Sequence, residues 1–146
     1  MPELLSASDV RKRWAYVLRR AVAEKHPVAI GRTGLAPALL IGADELERLL
    51  VDYEFHPEVF FEEGVVSIWL PELTLYGRGE SYDEAQEDLV HEVRDYLDEY
   101  LGDARLYLRA PNRSEQFPYV IKALVADATG RLPEILFVAP RPVAAA

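Results

Sequence analysis

Apolar positions along the first fifty residues change period. Val10, Trp14, Val17, Leu18, Ala21 and Val22 recur at steps of three and four, with Lys12, Arg13, Tyr16, Arg19 and Arg20 toward the other side, which predicts one amphipathic helix. Ser6-Ala-Ser-Asp9 supplies its start: the Ser6 hydroxyl can cap a free backbone N–H, and Asp9 can reach back from three residues on. The helix is expected from Ala7 and must end before Pro27. Then Val28-Ala-Ile30 and Pro37-Ala-Leu-Leu-Ile41 flank Arg32-Thr33-Gly34, predicting two short strands that turn back around a glycine, the second at a sheet edge because of Pro37. A helix opening at Gly42-Ala-Asp-Glu, apolar at Leu46, Leu49 and Leu50, completes an α-β-β-α module. A unit of about fifty residues buries too little alone, so it is expected to dimerise.

From Tyr53 the alternation is strand-like. Tyr53, Phe55, Val59 and Phe61 alternate with polar residues, and Glu62-Glu63-Gly64 turns into Val65 to Leu70, a predicted hairpin. A third strand from Leu73 to Tyr76 would lead into a turn at Gly77-Arg-Gly79, and Ser81-Tyr-Asp-Glu84 forms a second capping box. The long helix that follows has Ala85, Leu89, Val93, Tyr96, Leu97 and Tyr100 on one face and is expected to stop at Gly102 as its C-cap. Arg105 to Arg109 reads as one more strand. Ser114 or Glu115 begins a further amphipathic helix through Val120, Leu124 and Val125, Thr129-Gly130 separates an apolar segment from Leu132 to Val138, and the last residues are expected to fray.

Charge divides the chain where the pattern does. The net value of -9, read over the whole chain, argues against nucleic-acid binding, but it averages two unlike halves. Residues 1–51 carry eight basic against six acidic side chains, a balance of +2, whereas the remainder carries eight against nineteen, a balance of -11. The halves therefore face partners of opposite sign. The absence of cysteine excludes disulfides, thiolate metal sites and cysteine nucleophiles. The N-terminus reaches charged residues too early for a signal peptide and no apolar run is long enough to span a membrane, so a cytoplasmic globular protein is expected.

Candidate chemistry follows from placement. Arg11, Lys12 and Arg13 fall early in the predicted helix, where its dipole gains nothing from cations, and a helix start combining them with free N–H groups suits phosphate. Arg32, on the hairpin turn, could join that surface. The carboxylates from Asp83 to Glu99 are numerous enough for a two-metal nuclease, but they spread along one helix opposite its apolar face, as a solvated face does. His26, His56 and His91 make no metal-ligand spacing, and Gly77-Arg-Gly79 lacks the third glycine of a dinucleotide fingerprint. No catalytic, metal or cofactor site is expected.

Ser6-Ala-Ser-Asp-Val-Arg11, the helix after it, Ala21-Val-Ala-Glu-Lys-His-Pro-Val-Ala-Ile-Gly-Arg32 and Gly34-Leu-Ala-Pro-Ala-Leu-Leu-Ile together resemble the Phd/YefM (prevent-host-death) antitoxin family over residues 3–51. The resemblance implies a dimeric operator-binding domain that represses its own operon, with Arg11 and Arg32 at positions the family uses on DNA. Trp14 and Gly31 depart from the family's usual residues. Over roughly residues 53–109, Leu70-Pro-Glu-Leu73, Gly77-Arg-Gly79-Glu-Ser81 and Asp83-Glu84-Ala85 before a long helix resemble the HicB-like antitoxin domain, a β-β-β-α-β unit akin to part of the RNase H fold. That implies masking of a toxin, often a small basic mRNA-cleaving protein, although Thr74-Leu75-Tyr76 replaces the usual Pro-Gly-Cys. The sequence thus predicts an α+β chain. Residues 1–51 would be a DNA-binding and dimerisation domain using Arg11, Lys12, Arg13 and Arg32, and residues 52–139 an acidic partner-binding domain with a C-terminal helix. Residues 140–146 would be a disordered tail. The partners would be operator DNA, a cognate toxin and a second copy, as dimer or tetramer. A toxin-independent regulator whose second domain senses a ligand or protein is the alternative, with an RNase H-derived enzyme third.

Overall fold

The computed structural model describes residues 3–137, which fall into two compact units divided between Leu49 and Leu50. The tail expected at residues 140–146 lies outside the described residues.

The first unit runs β1 (Leu4–Ser6), α1 (Ala7–Lys12), α2 (Trp14–Val22), β2 (Val28–Gly31), β3 (Ala38–Leu40) and α3 (Ala43–Leu49). Its sheet has the order β1-β2-β3, parallel between β1 and β2 and antiparallel between β2 and β3. Leu5 and Val28 from the sheet meet Val10, Val17 and Ala21 from the helices in a small core. β3 is an edge strand, as Pro37 predicts, and Gly34 takes the left-handed conformation, φ 83°, in the connection before it. Two features depart from expectation. β1 precedes the first predicted helix and is too short to show alternation. The single helix predicted from Ala7 is broken at Arg13 (φ -119°, ψ 32°), where no proline or glycine announces a break.

The second unit runs β4 (Glu58–Glu62), β5 (Val65–Leu70), β6 (Leu75–Gly79), α4 (Tyr82–Gly102), α5 (Ala104–Tyr107), a 3-10 turn at Ser114–Gln116, α6 (Phe117–Ala128) and α7 (Leu132–Leu136). The three strands form an antiparallel meander in the order β4-β5-β6. Glu63 and Gly64, with φ 45° and 79°, make the two-residue turn between β4 and β5, the left-handed pair that matches the twist of a hairpin. Alternation on β5 sends Val66, Ile68 and Leu70 into the core, where α4 contributes Ala85, Leu89, Val93 and Tyr100. Val120 and Ala123 of α6 and Leu132 and Leu136 of α7 complete it. Arg94 Nε donates to Asp127 Oδ1 at 3.0 Å and ties α4 to α6.

Four expectations for this unit are corrected. Gly77-Arg-Gly79 is not a turn but the end of β6, and a Cβ on Gly77 would stand 2.5 Å from Leu89 Cβ and 2.6 Å from Leu89 N, so glycine lets the strand lie against the backbone of α4. Gly102 is the last helical residue and Asp103 the cap. Tyr53 and Phe55 are not in a strand: they precede β4 and pack their rings at 5.5 and 5.6 Å from Tyr119. The strand expected at Arg105 to Arg109, and with it the β-β-β-α-β order, is replaced by the helical turn α5. That turn brings Tyr107 to 4.7 Å from the Tyr100 ring while its hydroxyl donates to Glu99 Oε1 at 2.6 Å, contacts a strand's alternation would not give.

Candidate functional site

The cations of the first unit differ in what they meet. Lys25 Nζ lies 2.7 Å from Asp44 Oδ2 and 3.2 Å from Glu45 Oε1, and Arg48 is 3.5 Å from Glu45. Its hydrogen bond to Asp44 pushes the Lys25 ammonium above its ordinary pKa, and the same bond holds Asp44 below the usual carboxylate range. Arg11, Lys12 and Arg32 are exposed and engage no carboxylate among the described residues. Arg13 is committed differently, its guanidinium 4.4 Å from the Tyr16 ring, which Arg19 also approaches at 5.9 Å.

The break at Arg13 changes where these residues stand on their helix. Because α1 has only six residues, Arg11 and Lys12 stand in its last turn, where the helix dipole favours cations. Local stability therefore accounts for part of their presence. The register Ser6↔Gly31 between β1 and β2 sets Arg32, the next residue, beside the start of α1, while Arg11 with Ala7, Val10, Trp14 and Ile30 lines a shallow apolar hollow. Free guanidinium and ammonium groups of this kind can reach phosphate oxygens.

Much of the unit's apolar surface stays open. Val17 and Ala21 of α2 are buried, but Trp14, Leu18 and Val22, one turn apart on that helix, are exposed, Trp14 by 50%. The cross-strand register places Leu4, Ala29 and Leu39 together on one face of the sheet, and Leu4 and Leu39 are exposed there. None of the residues of α3 is buried.

In the second unit the carboxylates of α4 take two roles. Asp88 Oδ2 accepts the backbone N–H of Arg78 and Glu84 Oε2 that of Glu80, each at 2.8 Å, so side chains from the helix satisfy donors on the outer side of β6. Asp83, Glu87, Asp95, Asp98 and Glu99 are exposed. Among the described residues no group of three or more His, Asp or Glu side chains is arranged to hold a metal ion. The capping box is offset, since Ser81 accepts from Glu84 N at 3.1 Å while Glu84 reaches Glu80 rather than Ser81. The tyrosines belong to the core: Tyr96 OH bonds Gln116 Oε1 and receives Arg113 Nη1 at 2.6 Å, and Tyr100 OH donates to Arg113 O at 2.8 Å. Burial pushes the Tyr100 hydroxyl above its ordinary pKa. The Lys25 bridge and the closure of β6 span 19 and 10 residues, and neither leaves a periodic signal in sequence.

The sequence profile of a PHD-like family, described as the antitoxin of RelE/RelB toxin–antitoxin systems, matches residues 1–137. A solved structure from Syntrophomonas wolfei subsp. wolfei, described as an antitoxin part of a toxin/antitoxin system, is similar in fold with a TM-score of 0.70 and 25% identity. The match covers 91% of this chain and 95% of that one. No curated protein matches the chain in sequence.

Proposed function

The chain belongs to the PHD-like family of antitoxins of RelE/RelB toxin–antitoxin systems, and from that premise we propose that it divides two tasks between its two units. Membership makes it a non-enzymatic regulatory protein with a cognate toxin as partner. The first unit, Phd/YefM-like in sequence, would pair with a second copy and bind operator DNA, repressing the operon in the cytoplasm. The second unit, HicB-like in sequence, would bind and neutralise the toxin.

The observation that carries the operator reading is the contrast between cations. Lys25 and Arg48 are engaged by carboxylates of their own unit, whereas Arg11, Lys12 and Arg32 are exposed and uncommitted beside α1, with Arg13 held on Tyr16 next to them. The exposed Trp14, Leu18 and Val22 would supply an apolar row for a second copy, in keeping with the small core that a module of this size buries alone. The acidic balance of the second unit supports attraction of a small basic toxin, of the mRNA-cleaving kind the HicB-like resemblance implies. The family match favours this reading over a toxin-independent regulator.

Two assays test the halves separately. The chain should shift a DNA fragment carrying its own promoter, and co-expression should restore growth of cells producing the toxin encoded beside it. Failure to bind the promoter overturns the operator half, and failure to restore growth overturns neutralisation.

A further inference from the structure

The sheet of the second unit has two edges, and the chain treats them differently. At β6, carboxylates from α4 take the N–H of Arg78 and that of Glu80 just past the strand's end, so no strand can add there without displacing them. At β4 nothing does so among the described residues: its only strand partner is β5. All five of its residues are exposed, including three consecutive apolar ones, Val59, Phe60 and Phe61, at 37, 47 and 72%. Isolated proteins usually guard such an edge with charged side chains, proline or a bulge, because its unpaired backbone groups template another strand, and here Pro57, Glu58 and Glu62 stand only at the ends of β4, leaving its middle apolar.

The register gives this edge two usable faces. Val59 and Phe61 stand opposite Ile68 and Val66, on the side where α4 covers β5 and β6 but leaves β4 open. Phe60 stands opposite Ser67 on the other side, where it joins Val65 in a notch of about 270 Å³ that Glu62 and Glu63 also line. An added strand would find apolar contact for alternate side chains above and below the sheet.

Charge selects the occupant. Glu58 and Glu62 bracket the apolar triplet and Glu63 follows it. A second copy paired antiparallel about Phe60 would set Glu58 against Glu62 at both ends, a repulsive arrangement. A strand flanked by lysine or arginine would pair its charges instead.

We propose that the free edge of β4 is the toxin-docking site, receiving an extended, basic segment of the toxin as a fourth strand. This deepens the proposed function and rests on its assignment of toxin binding to the second unit. Hydrogen–deuterium exchange on the full chain, alone and in complex with the toxin encoded beside it, tests it. Alternate amides within Glu58–Glu62 should gain protection in the complex. Phe61→Lys, at an exposed position, should weaken toxin binding at least about tenfold, with Leu106→Lys, also exposed, leaving it unchanged. Protection elsewhere in residues 50–137 with β4 unchanged overturns the docking edge while sparing the unit assignment. Protection confined to residues 3–49 overturns both. Protection of β4 that rises with chain concentration in the absence of toxin assigns the edge to a second copy and overturns the proposal.

Discussion

Asp88 on α4 accepts the backbone N–H of Arg78 on β6 at 2.8 Å, a side chain serving one strand as a neighbouring strand otherwise would. Asp88→Ala should cost about 1 kcal/mol, the scale of a hydrogen bond to a charged acceptor discounted for partial exposure, and should expose the Arg78 amide to exchange. Gly77→Ala should cost more, about 3 kcal/mol, because the added methyl meets the backbone of α4 rather than a yielding side chain. Urea unfolding of both variants checks the order, and equal losses would contradict it.

The buried tyrosines are ranked by the partners of their hydroxyls. Tyr96 OH serves both Gln116 and Arg113, and Gln116 is only 6% exposed, so Tyr96→Phe strands a buried amide. Tyr100→Phe leaves one carbonyl, Arg113 O, without that donor. The Tyr96 variant is expected to lose about 2 kcal/mol and the Tyr100 variant about 1, measured by chemical denaturation.

Operator binding should distinguish free from committed cations. Arg11→Ala with Arg32→Ala should weaken promoter binding and flatten its dependence on salt, the logarithmic slope falling by about 0.9 for each phosphate no longer neutralised. Lys25→Ala, which removes a cation already held by Asp44 and Glu45, should leave that slope unchanged. Fluorescence anisotropy across a salt series reads both, and a slope equally altered by Lys25→Ala would show that the distinction does not govern binding.

The exposed row on α2 should be what a second copy covers. Trp14→Glu with Leu18→Lys should convert a dimer to monomers in sedimentation and, because operator half-sites need two modules, reduce promoter affinity by about tenfold or more. A sedimentation coefficient unchanged by the double substitution would place self-association elsewhere.

Ionisation sets limits on stability at both ends of the pH scale. Asp44 titrates below its ordinary 3.8, so its contribution is present above that value and is lost as the pH falls below it. Lys25 titrates above 10.5 and Tyr100 above 10.0, so theirs are present below those values and are lost as the pH rises past them. Tyr100→Phe should therefore lose less stability than the wild type as the pH rises past 10.0, read in thermal melts.

Periodicity made the helices and the hairpin legible. Val120 and Leu89 recur on faces that the core fills, and Glu63-Gly64 is the turn its composition requires. What stayed hidden depends on contacts between distant residues. Three residues of β1 are too few to alternate, and they become a strand only because β2 pairs with them. Arg105 to Arg109 has a strand's composition, but the helical turn there sets Tyr107 against the Tyr100 ring and Glu99, residues its own sequence neighbourhood does not announce. Arg11 and Lys12 were readable as basic positions, while their standing in a last rather than a first turn depends on a break at Arg13 that has no sequence marker.

The two glycines of β6 also restrict how this protein can change over generations. Every single-nucleotide change that replaces a glycine codon with another amino acid adds a Cβ, and at Gly77 and Gly79 the space is already taken by Leu89 and by Glu84 and Ala85. Neither position has a conservative neighbour in the genetic code. The exposed Tyr76 and Arg78 between and beside them can drift, so homologues that keep this helix-on-strand packing should show glycine alternating with variable residues in one short stretch.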